Sequence, residues 1–164
     1  MAVANYCITR VIIYPISYDT GISDLSIYLY IILINVYCDG ASRGNPGDAS
    51  IGVIAYTDST KEKVLFTISK AIGKETNNVA EWTALLFALE KCLELGEKEI
   101  SVYLDSELVV KQMNGVYKTK HPDLIDIKKK VDKHKLEFSK IEFIHIPREK
   151  NKEADKLANR ALDE

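Results

Sequence analysis

A mixed α/β sheet covered by helices is the fold class that the sequence predicts, and three observations carry the prediction. Three β-rich runs follow one another in the first half of the chain with short polar turns between them. The period then changes from strand to helix over residues 76–96. After that, short apolar runs alternate with amphipathic segments, the order expected when parallel strands join a three-stranded meander and helices cover the faces.

Taken in order, residues 27–38 are apolar and read as a strand that stops at Asp39. This run has only 12 residues and contains Asn35, which falls short of the roughly 18 needed to cross a bilayer, so no membrane span is expected. A turn rich in glycine follows, with Gly40, Gly44, Pro46 and Gly47. Residues 49–57 and 63–72 are the second and third strands, separated by Asp58, Ser59 and Thr60. Ala84, Leu85, Ala88, Leu89, Cys92 and Leu95 then recur at helical spacing, and Gly96 closes the helix. Residues 100–104 form a short strand ending at Asp105, followed by a short helix to Asn114 and Gly115. His121 and Pro122 open another helix through His134, residues 141–146 are the last strand, and residues 151–162 form a final amphipathic helix.

The chain has 164 residues, which fits one domain with one substantial core. Three cysteines, Cys7, Cys38 and Cys92, are an odd number at unrelated spacings; they suggest neither a disulfide framework nor a CxxC metal site, and a cytoplasmic location is the natural reading. With Arg10 alone basic, Pro15 interrupting the first apolar stretch and no small-residue cleavage site, the first 30 residues do not read as a secretory leader. The overall charge of -2 conceals an asymmetry: residues 1–110 hold 8 Lys+Arg against 14 Asp+Glu, whereas residues 111–160 hold 14 against 8. A basic C-terminal third suits a polyanionic partner as well as a solvated lysine-rich helix face.

Four carboxylates stand out by position. Asp39 and Asp105 each end an apolar strand, where side chains of such sheets converge on the functional crevice. Either could also start a turn or cap a helix. Glu81 lies in one helical line with Leu85, Ala88 and Cys92, on the stripe that faces the sheet, so its charge must be compensated. A capping box, with Asn78 reaching the Glu81 amide and Glu81 reaching back, would also use it, and the two roles can coexist. Asp155 flanks the stripe Ala154, Leu157, Ala158 and Ala161 in the first turns of the last helix, where dipole compensation competes with a ligand role. Four ionised carboxylates gathered at one place would repel one another unless cations were present. Oxygen donors without His or Cys favour Mg²⁺ or Mn²⁺ over zinc, and two such ions are the device for in-line displacement at a phosphodiester. A glycosidase needs only two acids and no basic tract.

The stretches CDGASRGNPG, TNNVAEWTALLFALE, YLDSELVVKQMNGVYK and PREKNKEADKLA resemble ribonuclease H type 1, most closely its compact, archaeal-type branch. They occur in the family's order, over roughly residues 33–162. The resemblance implies a ribonuclease H-like fold, a five-stranded mixed sheet with helices on both faces, filling residues 31–164 and leaving residues 1–30 as an N-terminal extension without an assigned role. It implies endonucleolytic cleavage of the RNA strand of an RNA/DNA hybrid, leaving 3′-hydroxyl and 5′-phosphate ends, by a monomer using two Mg²⁺ or Mn²⁺ ions. Asp39, Glu81, Asp105 and Asp155 match the family's metal-binding carboxylates. Gly40, Asn45, Asn77 and Asn78 match residues that contact the hybrid near its minor groove, where 2′-hydroxyls are displayed. Ser106 adds a further hydrogen bond or caps the helix that follows.

This chain departs from bacterial relatives in three places. Arg148 stands in the loop where they carry a histidine, matching the archaeal-type branch; a guanidinium suits a phosphate and not a general base. His145 reads as an ordinary strand residue. Glu107 replaces a glutamine that in many relatives contacts RNA, adding negative charge. The basic, tryptophan-bearing protrusion is reduced to GVYKTKH, so phosphate binding falls to Lys118 and Lys120, with Lys128, Lys129 and Lys130 as further candidates. Tyr117 is open to stacking or to core packing, and Trp82 reads as packing. Two other readings share these residues: a nuclease of double-stranded or structured RNA, and a hybrid-binding module without catalysis.

Overall fold

A computed structural model describes residues 33–164. Expectations that fall on residues 1–32, including the N-terminal extension, Cys7 and the first part of the opening apolar run, lie outside the described residues. The five-stranded sheet has the order β3-β2-β1-β4-β5. Strands β1 (Ile34–Gly44), β2 (Gly47–Tyr56) and β3 (Val64–Glu75) form the antiparallel meander, and β4 (Glu99–Leu104) and β5 (Lys140–His145) add in parallel on the β1 side. The helices are α1 (Asn77–Glu94), α2 (Glu107–Met113), α3 (Pro122–Lys135) and α4 (Lys152–Asp163), with a 3-10 turn at Arg148–Lys150.

The sheet separates two apolar layers by strand alternation. Ile34, Val36 and Cys38 of β1, with Ile51, Val53 and Ala55 of β2, join the buried stripe of α1 in the main core, which extends to α2 and α3. The intervening residues Tyr37, Ile54 and Tyr56 form a smaller cluster with Ala154 and Leu157 of α4 on the opposite face. The sequence pattern explains this inequality. α1 offers nine buried residues, among them the fully buried Trp82, whereas α4 offers only the small Ala154 and Ala158. Trp82 donates its indole hydrogen to Gln112 of α2 at 3.3 Å, the packing role expected of it.

One expectation is corrected at the start of α1. Thr76, not Asn78, is the N-cap, and its hydroxyl accepts from the Val79 amide at 3.3 Å. Asn78 therefore sits inside the first turn, and the capping box between Asn78 and Glu81 does not form. Two strands run past their expected ends: β1 does not stop at Asp39 but continues to Gly44, because its pairing with β2 goes on through Gly44 opposite Gly47, and β3 runs on past Ile72 to Glu75, because its pairing with β2 continues through Gly73, Lys74 and Glu75.

Candidate active site

The register of β1 against β4 sets the site. These strands run parallel with Cys38 opposite Leu104 as the last pair. The next residue on each is Asp39 and Asp105, so two carboxylates stand at the same level on neighbouring chains, roughly 5 Å apart in backbone. Asp39 is paired with Gly52 across β2.

Two glycines beside Asp39 bring in the helices. A Cβ on Gly40 would lie 2.2 Å from the Glu81 backbone nitrogen, so α1 presses its second turn directly onto β1. A Cβ on Gly52 would lie 2.1 Å from the Ala154 carbonyl oxygen and 2.5 Å from the Ala158 nitrogen, so α4 makes the same approach from the other face. Only residues without a side chain permit such contact. Glu81 and Asp155 are thereby delivered to the middle of β1, beside Asp39.

The electrostatics record the gathering. Asp39 is 8% exposed, and its carboxyl is pushed up to about 8, first by burial and then by the charges of Asp105, Asp155 and Glu81, with Arg148 pulling the other way. Burial and the Asp105 charge raise Glu81 to about 7, against the Ser106 hydroxyl, the Asn77 amide and Arg148. Three of the carboxylates hold a nitrogen donor. Asn77 Nδ2 donates to Glu81 at 3.0 Å, Asn151 Nδ2 to Asp105 at 3.1 Å, and Arg148 to Asp155 at 2.7 Å. Asp39 accepts no hydrogen bond from any described side chain, and Glu81 Oε2 is buried without a partner. Among the described residues no group of three or more His, Cys, Asp and Glu side chains is arranged as a ready metal cage. The donor set nonetheless fits a hard cation. It is all oxygen, its central carboxylate has no donor of its own, and a buried oxygen beside it is unpartnered.

The other expected residues divide into two groups. Asn45 Oδ1 accepts the Asn77 backbone hydrogen at 3.4 Å, which joins the β1–β2 turn to the start of α1 and sets Asn45 and Asn77 beside Glu81, while Asn78 follows, exposed, in the first turn of α1. Ser106 caps α2 through the Val109 amide at 3.5 Å, and also reaches Glu81. Gly40 is a packing position in addition to any substrate role. Lys118 and Lys120 are exposed on the connection between α2 and α3. Tyr117 is 48% exposed, with the Lys111 ammonium 5.1 Å from its ring, so it is not a core residue. Glu107 is paired with Lys111 at 2.7 Å, which offsets the charge it adds. Cys38 and Cys92 are buried free thiols, and burial pushes the Cys92 thiol up to about 12.

Asn151 is the residue that sequence reasoning missed. It is 1% exposed, and its amide nitrogen donates both to Asp105 and to the Cys38 carbonyl at 2.8 Å. Its own carbonyl accepts the Asp155 amide at 3.1 Å. One residue thus ties the middle of β1 and the end of β4 to the start of α4. Its position at the foot of an amphipathic helix, four residues before Asp155, is the only signal the sequence carries.

Comparison with known proteins gives a consistent picture. A family model described as reverse transcriptase-like matches residues 37–161. A bifunctional protein of Mycobacterium tuberculosis is 42% identical over 128 residues, 78% of this chain and 35% of that protein, so the chain spans about a third of the length of this relative. Ribonuclease HI of Halobacterium salinarum is 39% identical over 131 residues, 80% of this chain and 65% of the relative. The solved structure of LC11-RNase H1 in complex with RNA/DNA hybrid superposes with a TM-score of 0.74 at 46% identity, covering 79% of this chain and 96% of that one.

Proposed function

The chain belongs to the ribonuclease H type 1 family, and from that premise we propose that it cleaves the RNA strand of RNA/DNA hybrids endonucleolytically, leaving 3′-hydroxyl and 5′-phosphate ends. The observation that carries this reading is the state of Asp39: a nearly buried carboxyl raised to about 8 by burial and by three other acids, with no donor to balance it. Asp39, Glu81, Asp105 and Asp155 would hold the Mg²⁺ or Mn²⁺ ions, with Asp39 central. Two divalent ions in such a site supply charge stabilisation to the attacking and leaving oxygens of an in-line displacement.

The protein's own groups bind and orient. Asn45, Asn77, Asn78 and the Gly40 backbone offer amide donors and acceptors at one edge of the carboxylates, suited to testing for 2′-hydroxyls in the wide minor groove of an A-like duplex. Ser106, beside Asp105, adds a hydroxyl. Lys118 and Lys120 supply phosphate contacts that weaken with salt. Arg148, exposed and engaged by Asp155, stays charged at any working pH; it neutralises phosphate charge next to the reacting bond and does not take up a proton. The chain acts as a monomer in this scheme.

Parallel digestion of labelled RNA/DNA, RNA/RNA and DNA/DNA duplexes, with Mg²⁺ or Mn²⁺ and with EDTA, tests the reading. Cleavage confined to the RNA of the hybrid and silenced by EDTA is expected. Equal cleavage of RNA/RNA would transfer the same site to double-stranded RNA, and binding of hybrid without metal-dependent cleavage would leave only a recognition module.

A further inference from the structure

Behind the carboxylates lies a cavity of about 570 Å³ that the cleavage reaction does not use. That volume is within the range of small-molecule sites. Its floor is aromatic. Tyr37 of β1 and Tyr103 of β4 stack with ring centroids 4.7 Å apart and planes 12° from parallel. Tyr37 lies two residues before Asp39 and Tyr103 two before Asp105, so alternation puts Tyr37 on the Asp39 side of the sheet, about 7 Å back along the strand.

Lysines form the walls. Lys61, in the connection between β2 and β3, has φ 62, a left-handed backbone that a residue with a side chain adopts only when its surroundings enforce it. Its ammonium lies 3.8 Å from the centre of the Tyr37 ring. Lys150, Lys152 and Lys156 line the cavity from the 3-10 turn and α4. Glu149, and Glu153 bonded by the Tyr56 hydroxyl at 2.5 Å, also line it, but four lysines against these two glutamates leave positive charge prevailing.

We propose that this cavity is a subsite for an unpaired nucleotide, its base against the outer face of Tyr103 and its phosphate among Lys150, Lys152 and Lys156, belonging to a single-stranded extension of the duplex held at the carboxylates. The proposal rests on the nuclease reading for the duplex. Tyr37 is covered on one face by Tyr103 and on the other by the Lys61 ammonium, so Tyr103 carries the ring face left to the cavity, and an aromatic face with cationic walls is the combination that binds single strands with little sequence preference. A duplex keeps its base faces inside its own stack and offers the tyrosines nothing, whereas an unpaired base offers both a face and a phosphate. The short distance from Tyr37 and Tyr103 to Asp39 and Asp105 lets one continuous strand occupy both places.

Fluorescence anisotropy of the full chain in EDTA tests this with three probes: a blunt RNA/DNA hybrid, and the same hybrid with a short single-stranded extension at either end of the RNA strand. One extension should tighten binding about 5- to 20-fold over the blunt probe. The gain should vanish in the double variant Lys152→Ala/Lys156→Ala and in Tyr103→Leu, and persist in Tyr103→Phe. The lysine double variant should cleave blunt hybrid at the wild-type rate. If neither extension improves wild-type binding, or if the gain survives the lysine double variant, the subsite is wrong. A 5′-mononucleotide competitor that removes the gain supports the subsite, and one that leaves it intact at saturating concentration counts against it. Failure of the wild type to cleave the blunt hybrid with Mg²⁺ would instead overturn the nuclease reading, and the two failures are read in separate assays.

Discussion

α1 and α4 approach Asp39 from opposite faces of the sheet, each through one glycine, yet they are anchored very differently. α1 buries nine residues in the main core and packs on α3 as well as on β1 and β2. α4 buries only Ala154 and Ala158 and is held on the sheet mainly by polar and backbone contacts: the close approach over Gly52, the bonds from Ser50 and Ser69 to the Ala158 and Leu157 carbonyls at 2.6 and 2.7 Å, the Tyr56 hydroxyl on Glu153, and Asn151 at its foot. Glu81 is therefore fixed by the core itself, while Asp155 is fixed by a few close contacts. Equal roles at the site need not rest on equal structural support.

The largest effect should come from the carboxylate that both helices meet. Asp39→Asn is expected to lower cleavage by at least about 1000-fold, measured as initial rate on a labelled hybrid, because the central ligand is lost. The same substitution should stabilise the metal-free protein. Asp39 has a folded value of about 8, above its ordinary value of 3.8, so between those limits the folded state binds more protons and stability falls as pH rises. Removing the charge lifts that penalty. In EDTA at pH 8 the variant should melt about 5 °C above wild type, with the difference gone near pH 4 by calorimetry.

Next come the two glycines, which test the contrast directly. Gly40→Ala drives a Cβ into the backbone of α1, so global stability should fall by about 3 kcal/mol or more. Gly52→Ala meets a helix with little buried surface that can shift outward. Its stability loss should be smaller, about 1–2 kcal/mol, while activity falls about 100-fold as Asp155 recedes. Urea unfolding paired with initial rates separates the outcomes, and equal losses in both variants would erase the distinction between the helices.

Asn151→Ala should have an intermediate effect. It strips a buried carbonyl at Cys38 and the Asp105 carboxylate of their shared donor, costing about 1–3 kcal/mol. The Mg²⁺ concentration for half-maximal activity should rise about 10-fold, since outer partners of metal ligands contribute on that scale. The smallest change belongs to Lys118→Ala/Lys120→Ala. Hybrid binding should weaken by several-fold at low salt and the slope of log affinity against log salt should become shallower by up to about 1.8, with turnover of bound hybrid nearly unchanged.

Much of this contrast was legible in the sequence on one side only. The period of α1 showed Glu81 on the buried stripe, and the apolar runs ending at Asp39 and Asp105 picked out both acids, although only Asp105 follows the end of its strand while Asp39 lies inside β1. Those signals are local, because each depends on spacing within one element. Thr76 and Asn78 are both good cap residues close together, so the pattern left a capping box at Asn78 open beside a ligand role for Glu81; backbone geometry at Thr76 decided it. Gly52 had no visible meaning inside a β-rich run, since the helix that requires it lies about a hundred residues further on. Asn151 was hidden for the same reason: its partners, Cys38 and Asp105, are 113 and 46 residues away. The tyrosine pair was likewise invisible until β1 and β4 were laid side by side.

That alignment of β1 with β4 also limits how the chain can change. The two parallel strands work as a ruler whose marks coincide at Cys38 and Leu104, and the acids are the first marks beyond. Loops can lengthen or shorten without moving either mark. Deleting a single residue between Ile100 and Leu104 would turn the acid of β4 toward the opposite side of the sheet, so that a chain with every important residue still present would have lost its centre.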